Sequence, residues 1–398
     1  MTDTVPEYLS VDLFEKVISN YRGESIKIKD VKFKVISSNG DNYCSNVYRV
    51  CLNLEDERKE QSTLTLIVKD LFKEIAHLQL KELDMYNKVL KGLSDILKTS
   101  GNDDLAKIKF SPYCLLATRE FGELYIFEDL TAIGYEIGSR WQGVSEKQSY
   151  STIKKLAQFH ATSMVLVEKN PSIIDLIKDS HFKNGPQDFS ANFVYGNIES
   201  AIKYLDSLEG FEDMAKKVRD NCNNFSKKIQ AAVNTDLCQF KVLNHADLWV
   251  NNILFNSEDD AVFLDYQLSF YGSPGIDLNF FLHTSVRLQI VQSNRYKFLR
   301  YYYNNLKLTL KSLKYENIPT FEQLIEEVRR TEFYSFYAVA AELPLMCLTP
   351  EQSKTMSVPA FSNPEIMEQM RMELFSNERV RKTLEYSLDR LNELGVLD

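Results

Sequence analysis

The feature that most constrains the fold is a pair of short apolar segments separated by an acidic turn. The segments span residues 253–255 and 262–264. Both are typical of short buried strands, and the turn between them predicts an antiparallel hairpin. Asn252 enters the first strand and Asp265 leaves the second. The sequence therefore predicts that two polar side chains meet at one end of a buried hairpin.

A carboxylate and an amide oxygen at such a place can hold a hard divalent cation, and Mg²⁺ is the natural candidate. Asp247 lies upstream of Asn252 in the spacing H-x-D-x-x-x-x-N, which begins at His245. It is near enough to accept a proton from an incoming hydroxyl while the ion holds nucleotide phosphates. Turn residues of these types usually only cap strands or bond their own backbone. Turn chemistry alone does not require His, Asp, Asn and Asp at these offsets. The combined spacing therefore favours a phosphotransferase.

Composition favours a small-molecule partner. With 398 residues, the chain is long enough for two lobes around a sizeable core. Its 44% hydrophobic and 26% charged residues are ordinary for a soluble globular protein. The net charge of -9 argues against nucleic acid as the main partner.

Compartment signals favour the cytoplasm. The N-terminus lacks a basic start followed by an apolar run, so we expect no secretory signal. No stretch approaches about 18 apolar residues, so we expect no membrane span. The six cysteines form no C-x-x-C pair, which argues against a zinc site and favours reduced thiols. No obligate protein partner is evident.

The segments HADLWVNNILF and VFLDYQ resemble the catalytic segment of the ecdysteroid kinase-like family of insect small-molecule kinases. This family is related to choline kinases and aminoglycoside phosphotransferases, and more distantly to protein kinases. The resemblance implies that Asp247 is the catalytic base and that His245 is a structural member of the catalytic loop. It also implies that Asn252 and Asp265 are the magnesium ligands. Ala246 stands where the family commonly has Gly.

The sequence pattern of the N-terminal part predicts a helix followed by a hairpin. Residues 7–22 have helical spacing, with Ser10 as a candidate N-cap. Residues 26–35 mostly alternate between apolar and charged side chains, as a half-exposed strand does. A cluster of turn residues at 37–42 follows, and strand character resumes through Cys51.

This turn of small residues can bring backbone N–H groups close to phosphate oxygens, although a plain hairpin is the simpler alternative. The family's pattern G-x-N-Y-x-S is matched by Gly40, Asn42, Tyr43 and Ser45. The resemblance therefore implies that the turn covers a nucleotide.

Lys69 closes a third apolar strand, predicted over 64–68. A lysine in this position is costly unless its ammonium meets negative charge. The helix predicted over about 73–91 offers Glu82, with Tyr86 one turn later, although most helix carboxylates are simply solvated. Glu82 and Tyr86 match the family's E-x-x-x-Y pattern. The resemblance implies that Lys69 holds nucleotide phosphates and that Glu82 orients it.

A second hairpin, predicted over 113–118 and 123–127, ends in Glu128, Asp129 and Leu130. This E-D-L resembles the hinge between two lobes, where backbone groups bond the adenine edge. A solvated strand end is the alternative.

Beyond the hinge the pattern becomes helical. The helix predicted over 145–167 contains the family's L-A-x-F-H-A at 156–161, and its His160 is expected to be a core histidine without a chemical role. Asp277 follows a Ser-Pro-Gly turn at a predicted helix start, where an acid can cap the helix. The resemblance implies that Asp277 braces the catalytic loop as structural support.

The whole pattern predicts an α+β, bilobal, protein-kinase-like fold. A small antiparallel-sheet lobe, residues 1–130, would bind the nucleotide, and a larger, mainly helical lobe, residues 131–398, would carry the catalytic and acceptor sites. Residues 288–342 and 364–395 predict amphipathic helices joined by a loop over 344–364.

The predicted reaction is transfer of the γ-phosphoryl group of ATP, with Mg²⁺, to a hydroxyl of a small acceptor. The resemblance implies an ecdysteroid, another steroid or a xenobiotic. A choline- or ethanolamine-type kinase is one alternative, and a catalytically silent kinase-fold binding protein is another. The presence of Lys69, Asp247, Asn252 and Asp265 favours an active enzyme. A protein kinase is less favoured, because the residue after Asp265 is not the Phe of a D-F-G signature.

Overall fold

One antiparallel sheet forms the N-terminal part of the molecule. The structure is a computed structural model that describes residues 5–36, 45–72, 81–353 and 364–398. The sheet has five strands in the order β1-β2-β3-β5-β4, and each neighbouring pair is antiparallel. The strands are β1 (Lys27–Val35), β2 (Ser45–Glu55), β3 (Gln61–Leu71), β4 (Cys114–Thr118) and β5 (Leu124–Glu128).

Alternation of side chains along β2 and β3 gives the sheet two different faces. Val50 and Val68 are fully buried in a core closed by helix α1, Val11–Arg22. Arg49 and Lys69, each one position away along its strand, line a cavity on the other face. Because successive side chains of a strand point to opposite faces, the same two strands build the core and one wall of the cavity.

Periodicity located these elements better than it located their ends. The N-cap prediction is confirmed, since the Ser10 hydroxyl accepts the N–H of Leu13 at 3.3 Å. The third strand, predicted over 64–68, spans Gln61–Leu71 in the structure. It is longer because β2 pairs with it throughout, which carries the polar residues 61–63 into the ladder.

The helix that carries Glu82 contains one wide turn. It runs from Glu82–Asp84 through the π-helical turn Met85–Val89 to Leu90–Lys98. Residues 73–80, which the sequence assigns to the start of this helix, lie outside the described residues. Single wide turns of this kind are frequent at functional sites.

Two long helices form the centre of the larger part. The first, Glu146–Lys169, begins with a capping box in which Ser145 accepts the N–H of Gln148 at 3.2 Å. In return, the Gln148 side chain accepts the N–H of Ser145 at 3.0 Å. This helix packs along Leu288–Ser312. Both helices contribute to one apolar core that also contains residues of the predicted hairpin.

The predicted hairpin is confirmed. Strand β8 (Ile253–Phe255) pairs antiparallel with β9 (Ala261–Phe263) and with the short β6 (Glu136–Ile137). A second small sheet pairs β7 (Val242–Asn244) with β10 (Phe270–Gly272). These short ladders position the loops that carry the motif residues.

Further helices enclose these elements and a second apolar core. They are Asp103–Ala106, Ile174–Ile177, Asp188–Asp206, Glu212–Asn223, Phe225–Val233, Gly275–Thr284, Phe321–Arg330, Phe333–Tyr337, Leu343–Met346, Pro350–Ser353, Pro364–Glu373 and Glu378–Glu393. The chain also has a second π-helical turn, Ala338–Glu342, and 3-10 turns at Leu130–Ile133, Pro171–Ile173, Thr235–Leu237, Val250–Asn252 and Leu374–Ser376. Within the described ranges, no helix combines the length and apolarity needed to cross a bilayer.

The prediction of a loop over 344–364 is wrong in its first part. Helical structure continues to Met346, and Pro350–Ser353 is also helical, while residues 354–363 lie outside the described residues. Pro344 does not end the helix, because it follows directly on a wide turn and stands near the start of Leu343–Met346, where its missing N–H is tolerated.

The architecture agrees with the predicted α+β class, a smaller antiparallel-sheet lobe followed by a larger helical lobe. The boundary between residues 130 and 131 stays a prediction. Leu130 packs in a small apolar cluster with Leu254 and Val262 of the hairpin. The end of the sheet lobe is thus in contact with the elements that carry the motif.

Candidate active site

A cavity of about 400 Å³ lies between the sheet and the helical part. Arg49 and Lys69 line it from the sheet, and Asn252 and Asp265 line it from the hairpin. The predicted hinge, residues 128–130, forms another wall. A volume of this size is usual for sites that bind small ligands or cofactors.

The structure brings Lys69 together with Glu82. The Lys69 ammonium donates to both carboxylate oxygens of Glu82, at 2.9 and 2.7 Å, and lies 3.1 Å from Oδ2 of Asp265. Burial opposes the charged ammonium, but the charges of Asp265 and Glu82 outweigh this effect and raise the pKa of Lys69. The side chain is therefore a fixed positive charge on the cavity wall, which suits an anionic ligand such as a phosphate.

Asp247 is held by Asn252. The Asn252 side-chain nitrogen Nδ2 donates to Oδ2 of Asp247 at 3.0 Å and to the Asp247 carbonyl at 2.9 Å. Burial and the charges of Asp265 and Glu342 raise the pKa of Asp247 well above its usual range. A carboxylate with a raised pKa is a stronger base, which suits a group that removes a proton from a hydroxyl.

The oxygen atoms of Asn252 and Asp265 fit a hard cation. Oδ1 of Asp265 is buried and has no hydrogen-bond partner among the described residues. With both hydrogen bonds of Nδ2 directed at Asp247, Asn252 has its amide oxygen left for a ligand. The N–H of Leu264 donates to the Asn252 carbonyl at 2.9 Å, which keeps the two donors side by side. One or two such oxygens together with phosphate oxygens are the usual ligands of Mg²⁺.

His245 links the loop of Asp247 to the strand end before Asp265. Its Nε2 donates to the carbonyl of Leu264 at 2.8 Å, while Nδ1 accepts the N–H of Asp247 at 3.3 Å. This assigns the proton of the neutral ring to Nε2. Burial lowers the pKa of His245, which favours the neutral form. The histidine therefore positions both acidic residues.

Asp277 fixes the backbone of the loop that carries Asp247. Its two oxygens accept the N–H groups of His245 and Ala246, each at 2.7 Å. Nε2 of His160 lies 3.0 Å from Oδ2 of Asp277, and Nδ1 of His160 lies 2.7 Å from the hydroxyl of Tyr302. The sequence predicted a core position for His160 but missed this connection, which joins residues more than a hundred positions apart in sequence.

The backbone at Ala246 is left-handed, with φ of 65°. This conformation costs an alanine roughly 1–2 kcal/mol and a glycine almost nothing. Ala246 therefore occupies a position where the glycine of the family pattern is the less strained residue.

The predicted hinge residues 128–130 line the cavity, and their role in adenine binding stays a prediction. The Glu128 carboxylate accepts from Lys109 at 2.6 Å and from the N–H of Tyr113 at 2.5 Å, and its own N–H donates to the Tyr113 carbonyl at 3.0 Å. The Leu130 carbonyl accepts the N–H of Tyr135 at 3.2 Å. Both residues line the cavity. The carboxylate and N–H of Glu128 and the carbonyl of Leu130 already form hydrogen bonds within the protein.

The predicted nucleotide-covering turn is described only at its end. Gly40, Asn42 and Tyr43 lie outside the described residues. Ser45 is the first residue of β2, is 2% exposed and pairs with Leu71. It is not one of the described residues that line the cavity.

Arg49 is a cavity residue that the sequence reasoning missed. Its Nε lies 2.8 Å from Oδ2 of Asp129, and its Nη2 donates to the Thr131 hydroxyl at 2.6 Å. Arg49 could have been predicted from the alternation of side chains along β2. It lies on the same face of the sheet as Lys69 of β3. The contact fastens the sheet to the hinge wall.

Several solved structures are similar to this chain at low identity. A spectinomycin phosphotransferase in complex with ADP and spectinomycin is 15% identical, with 95% of this chain and 98% of that chain covered and a TM-score of 0.46. An ethanolamine kinase from Plasmodium vivax is 15% identical, with coverages of 89% and 84% and a TM-score of 0.41. A choline kinase from Streptococcus pneumoniae is 14% identical, with coverages of 82% and 98% and a TM-score of 0.37.

Comparison with curated proteins gave no significant match. In contrast, the model of the ecdysteroid kinase-like family matches residues 39–315. This match contains strands β2 to β5 of the sheet, the predicted hinge, the motif hairpin and Asp277, and it extends over more than half of the chain. The resemblance noted in the motif segments is thereby confirmed, and the chain belongs to the ecdysteroid kinase-like family.

Proposed function

We propose that this small-molecule kinase transfers the γ-phosphoryl group of ATP to a hydroxyl of an ecdysteroid-like or other hydroxylated small molecule. The observation that carries the proposal is the convergence of Lys69, Asp247, Asn252 and Asp265 at one end of the motif hairpin, beside a cavity of about 400 Å³. Their side chains do not point into separate regions of the molecule. The family match supports a hydroxylated small molecule as acceptor.

In this proposal, one set of residues binds the phosphates and Mg²⁺, and Asp247 removes the proton. Lys69, oriented by Glu82, would bind phosphate oxygens of ATP. Asn252 and Asp265 would hold Mg²⁺, which when bound neutralises charge on the phosphates. Asp247 would accept the acceptor hydroxyl proton on Oδ1, because its Oδ2 is already engaged by Asn252. As the new O–P bond forms, the bond to the β,γ-bridging oxygen breaks and ADP leaves.

A silent kinase-fold protein is the alternative that the experiment must exclude. We would incubate the protein with ATP, Mg²⁺ and a panel of ecdysteroids, and detect phosphorylated products by mass spectrometry. Asp247→Asn is expected to lower turnover by about 10²–10⁴-fold, the usual contribution of a general base. Asp265→Asn is expected to abolish turnover and to weaken the dependence of ATP binding on Mg²⁺.

Glu258→Gln provides a matched control, because Glu258 is an exposed carboxylate in the turn of the same hairpin. It should retain wild-type turnover. Equal turnover in wild type, Asp247→Asn and Asp265→Asn would contradict the proposal.

A further inference from the structure

A lysine next to Glu82 connects the start of its helix to the larger lobe. The Lys81 ammonium donates to the backbone carbonyl of Asp179 and, at 3.2 Å, to the carbonyl of Ser269. These two carbonyls lie 98 and 188 residues further along the chain, well after the predicted hinge. One side chain therefore crosses from the smaller lobe to the larger one.

The first turn of the helix is held from two sides. The Lys81 carbonyl accepts the N–H of Met85 at 2.9 Å, so Lys81 belongs to this turn. Neighbouring side chains of a helix point about 100° apart. Accordingly, Lys81 contacts the larger lobe, while Glu82 contacts Lys69 of β3. The position of Glu82 thus depends on contacts with both lobes.

The carbonyl of Ser269 belongs to the segment that connects the two motif loops. Ser269 follows Asp265 by four residues and directly precedes β10. In β10, Phe270 pairs with Asn244, the residue before His245. A group that is hydrogen-bonded to this carbonyl is therefore held in register with both loops of the candidate active site.

The carbonyl of Asp179 also belongs to a fixed segment. The Asp179 carboxylate accepts from Lys183 at 2.7 Å. The N–H of Phe182 donates to the Ser180 hydroxyl at 3.2 Å, and the Phe182 ring is buried in the second apolar core. Both acceptors of Lys81 are thus anchored independently of it.

Two connections run from Lys69 to the loop of Asp265. The direct one is the contact of 3.1 Å between the Lys69 ammonium and the Asp265 carboxylate. The indirect one passes through Glu82 and Lys81 to the carbonyl of Ser269. Mg²⁺, when bound by Asp265, would compete with the ammonium for this carboxylate. The indirect connection does not involve the Asp265 carboxylate and would persist.

The environment of Lys81 is costly for a charged group. Both of its described acceptors are neutral carbonyls. Burial lowers the pKa of Lys81 to about 8, so the ammonium is still mostly charged at neutral pH. A desolvated ammonium is destabilising unless its hydrogen bonds compensate, and such groups are frequent at functional sites.

We propose that Lys81 is a positioning residue that fixes Glu82, and through it Lys69, against the loop of Asp265 for binding the phosphates of ATP. This inference rests on the proposed kinase function and deepens it. No contact with the nucleotide is assigned to Lys81 itself, which is not among the described residues that line the cavity.

ATP binding tests the inference without requiring turnover. We would titrate the full-length protein with ATP and Mg²⁺ by calorimetry, with no acceptor present. Lys81→Met keeps the apolar stem but removes the donors, and it should weaken ATP binding about threefold to tenfold, the usual effect of one hydrogen bond. Lys81→Arg can still donate to two carbonyls and should restore binding close to that of the wild type.

A double-mutant cycle shows whether Lys81 acts through Glu82. If it does, the variant with both Lys81→Met and Glu82→Gln should bind ATP no more weakly than Glu82→Gln alone. Independent effects of the two substitutions would multiply in the double variant.

Lys228→Met is the matched control. Lys228 also donates to two backbone carbonyls, those of Val396 and Asp398, at 3.0 and 2.9 Å. It is not one of the described residues of the cavity wall, so its loss removes the same kind of contact away from the candidate site. Denaturant unfolding should show a similar loss of stability in Lys81→Met and Lys228→Met, whereas ATP binding should be unchanged in Lys228→Met.

Hydrogen–deuterium exchange provides a readout in the absence of nucleotide. Amides of the helix from Glu82 to Lys98 should exchange faster in Lys81→Met than in the wild type, because the start of the helix has lost its connection to the larger lobe. Lys228→Met should leave the exchange of this helix unchanged.

The outcomes separate the two proposals. Unchanged ATP binding in Lys81→Met, multiplying effects in the double variant, or an equal loss of ATP affinity in Lys228→Met overturns the positioning role. If ATP binding follows the expected pattern but mass spectrometry finds no phosphorylated product, the kinase proposal fails and the positioning role in the nucleotide site stands. A wild type that does not bind ATP overturns both.

Discussion

The backbone N–H of Ala246 donates to Oδ1 of Asp277 at 2.7 Å, across a separation of 31 residues. The other oxygen of the same carboxylate accepts the N–H of His245. A single buried side chain therefore fixes two consecutive peptide groups immediately before Asp247. Because Asp277 lies in the first turn of Gly275–Thr284, the position of that helix sets the position of the candidate active-site loop.

Asp277→Asn is expected to lower both stability and turnover. The amide keeps one acceptor oxygen but points an N–H₂ group at a backbone N–H, so one buried donor loses its partner. We expect a loss of about 2–3 kcal/mol in the free energy of unfolding, the usual value of a hydrogen bond to a charged group. The measurement is denaturant unfolding together with kcat. Asp175→Asn, in an exposed ion pair, should change neither; a wild-type kcat in Asp277→Asn would contradict the positioning role.

Glu82→Gln is expected to weaken ATP binding. The Lys69 ammonium would lose its ionic partner at 2.7 Å and be held more closely by Asp265. Losing a charged hydrogen bond of about 1.5–3 kcal/mol predicts an increase of roughly 10- to 100-fold in the KM for ATP. Asp84→Asn changes a carboxylate on the same helix that pairs with Lys88 on the surface. It should leave the KM unchanged, and an equal effect of both variants would argue against a specific role for Glu82.

The sequence predicted the residues that local spacing can identify. Asp247, Asn252 and Asp265 are brought together by one short hairpin, and Lys69 ends a strand whose period of two is visible in the chain. Arg49 could also have been found, because it shares the face of Lys69. The bounds of β3 were less predictable, since a partner strand can stabilise polar residues in a ladder.

Contacts between distant segments could not be predicted from spacing. The link between His160 and Asp277 depends on how two helices pack, and no local pattern encodes it. The wide turn Ala338–Glu342 was missed for another reason. A wide turn changes the helical phase by one residue, and the apolar periodicity on either side of it remains that of an ordinary amphipathic helix.

Ala246→Gly is expected to leave stability unchanged or to increase it by up to about 1 kcal/mol. Glycine removes the left-handed strain at φ of 65°, which offsets its greater freedom in the unfolded chain. Ala215→Gly in the helix Glu212–Asn223 should instead destabilise by about 1 kcal/mol. Chemical denaturation of the two variants provides the comparison. Equal losses would show that the backbone at Ala246 is not strained.

The ion pairs of Glu332 with two arginines lead us to expect a loss of folding stability in acid. It lies 2.9 Å from Arg295 and 2.6 Å from Arg390. Burial alone would raise its pKa, but the charge of Arg295 and the hydrogen bond and charge of Arg390 lower it from the ordinary 4.5 to about 2. Because the folded-state pKa is depressed, the contribution is present above about pH 4.5 and is lost as the pH falls towards 2. The shift corresponds to roughly 3 kcal/mol.

Glu332→Gln should remove this acid-dependent contribution and destabilise the protein at neutral pH by about 3 kcal/mol, because two partly buried arginines lose their common buried partner. Unfolding free energies measured from pH 7 to 3 provide the test. Glu378→Gln, at an exposed pair with Lys382, should follow the wild type. A parallel pH dependence in Glu332→Gln and the wild type would refute the assignment.

The wide turn at Ala338–Glu342 makes the hydrogen bond between Tyr337 and Glu342 sensitive to chain length as well as to residue type. Deleting one alanine from it would restore regular helical pitch and rotate Glu342 by about 100° relative to Tyr337. A deletion of one codon would thus separate Tyr337 from Glu342, while the pairing of the distant motif hairpin is unaffected. Relatives that differ by a single insertion or deletion here are expected to keep the fold and to lack this tyrosine–glutamate hydrogen bond.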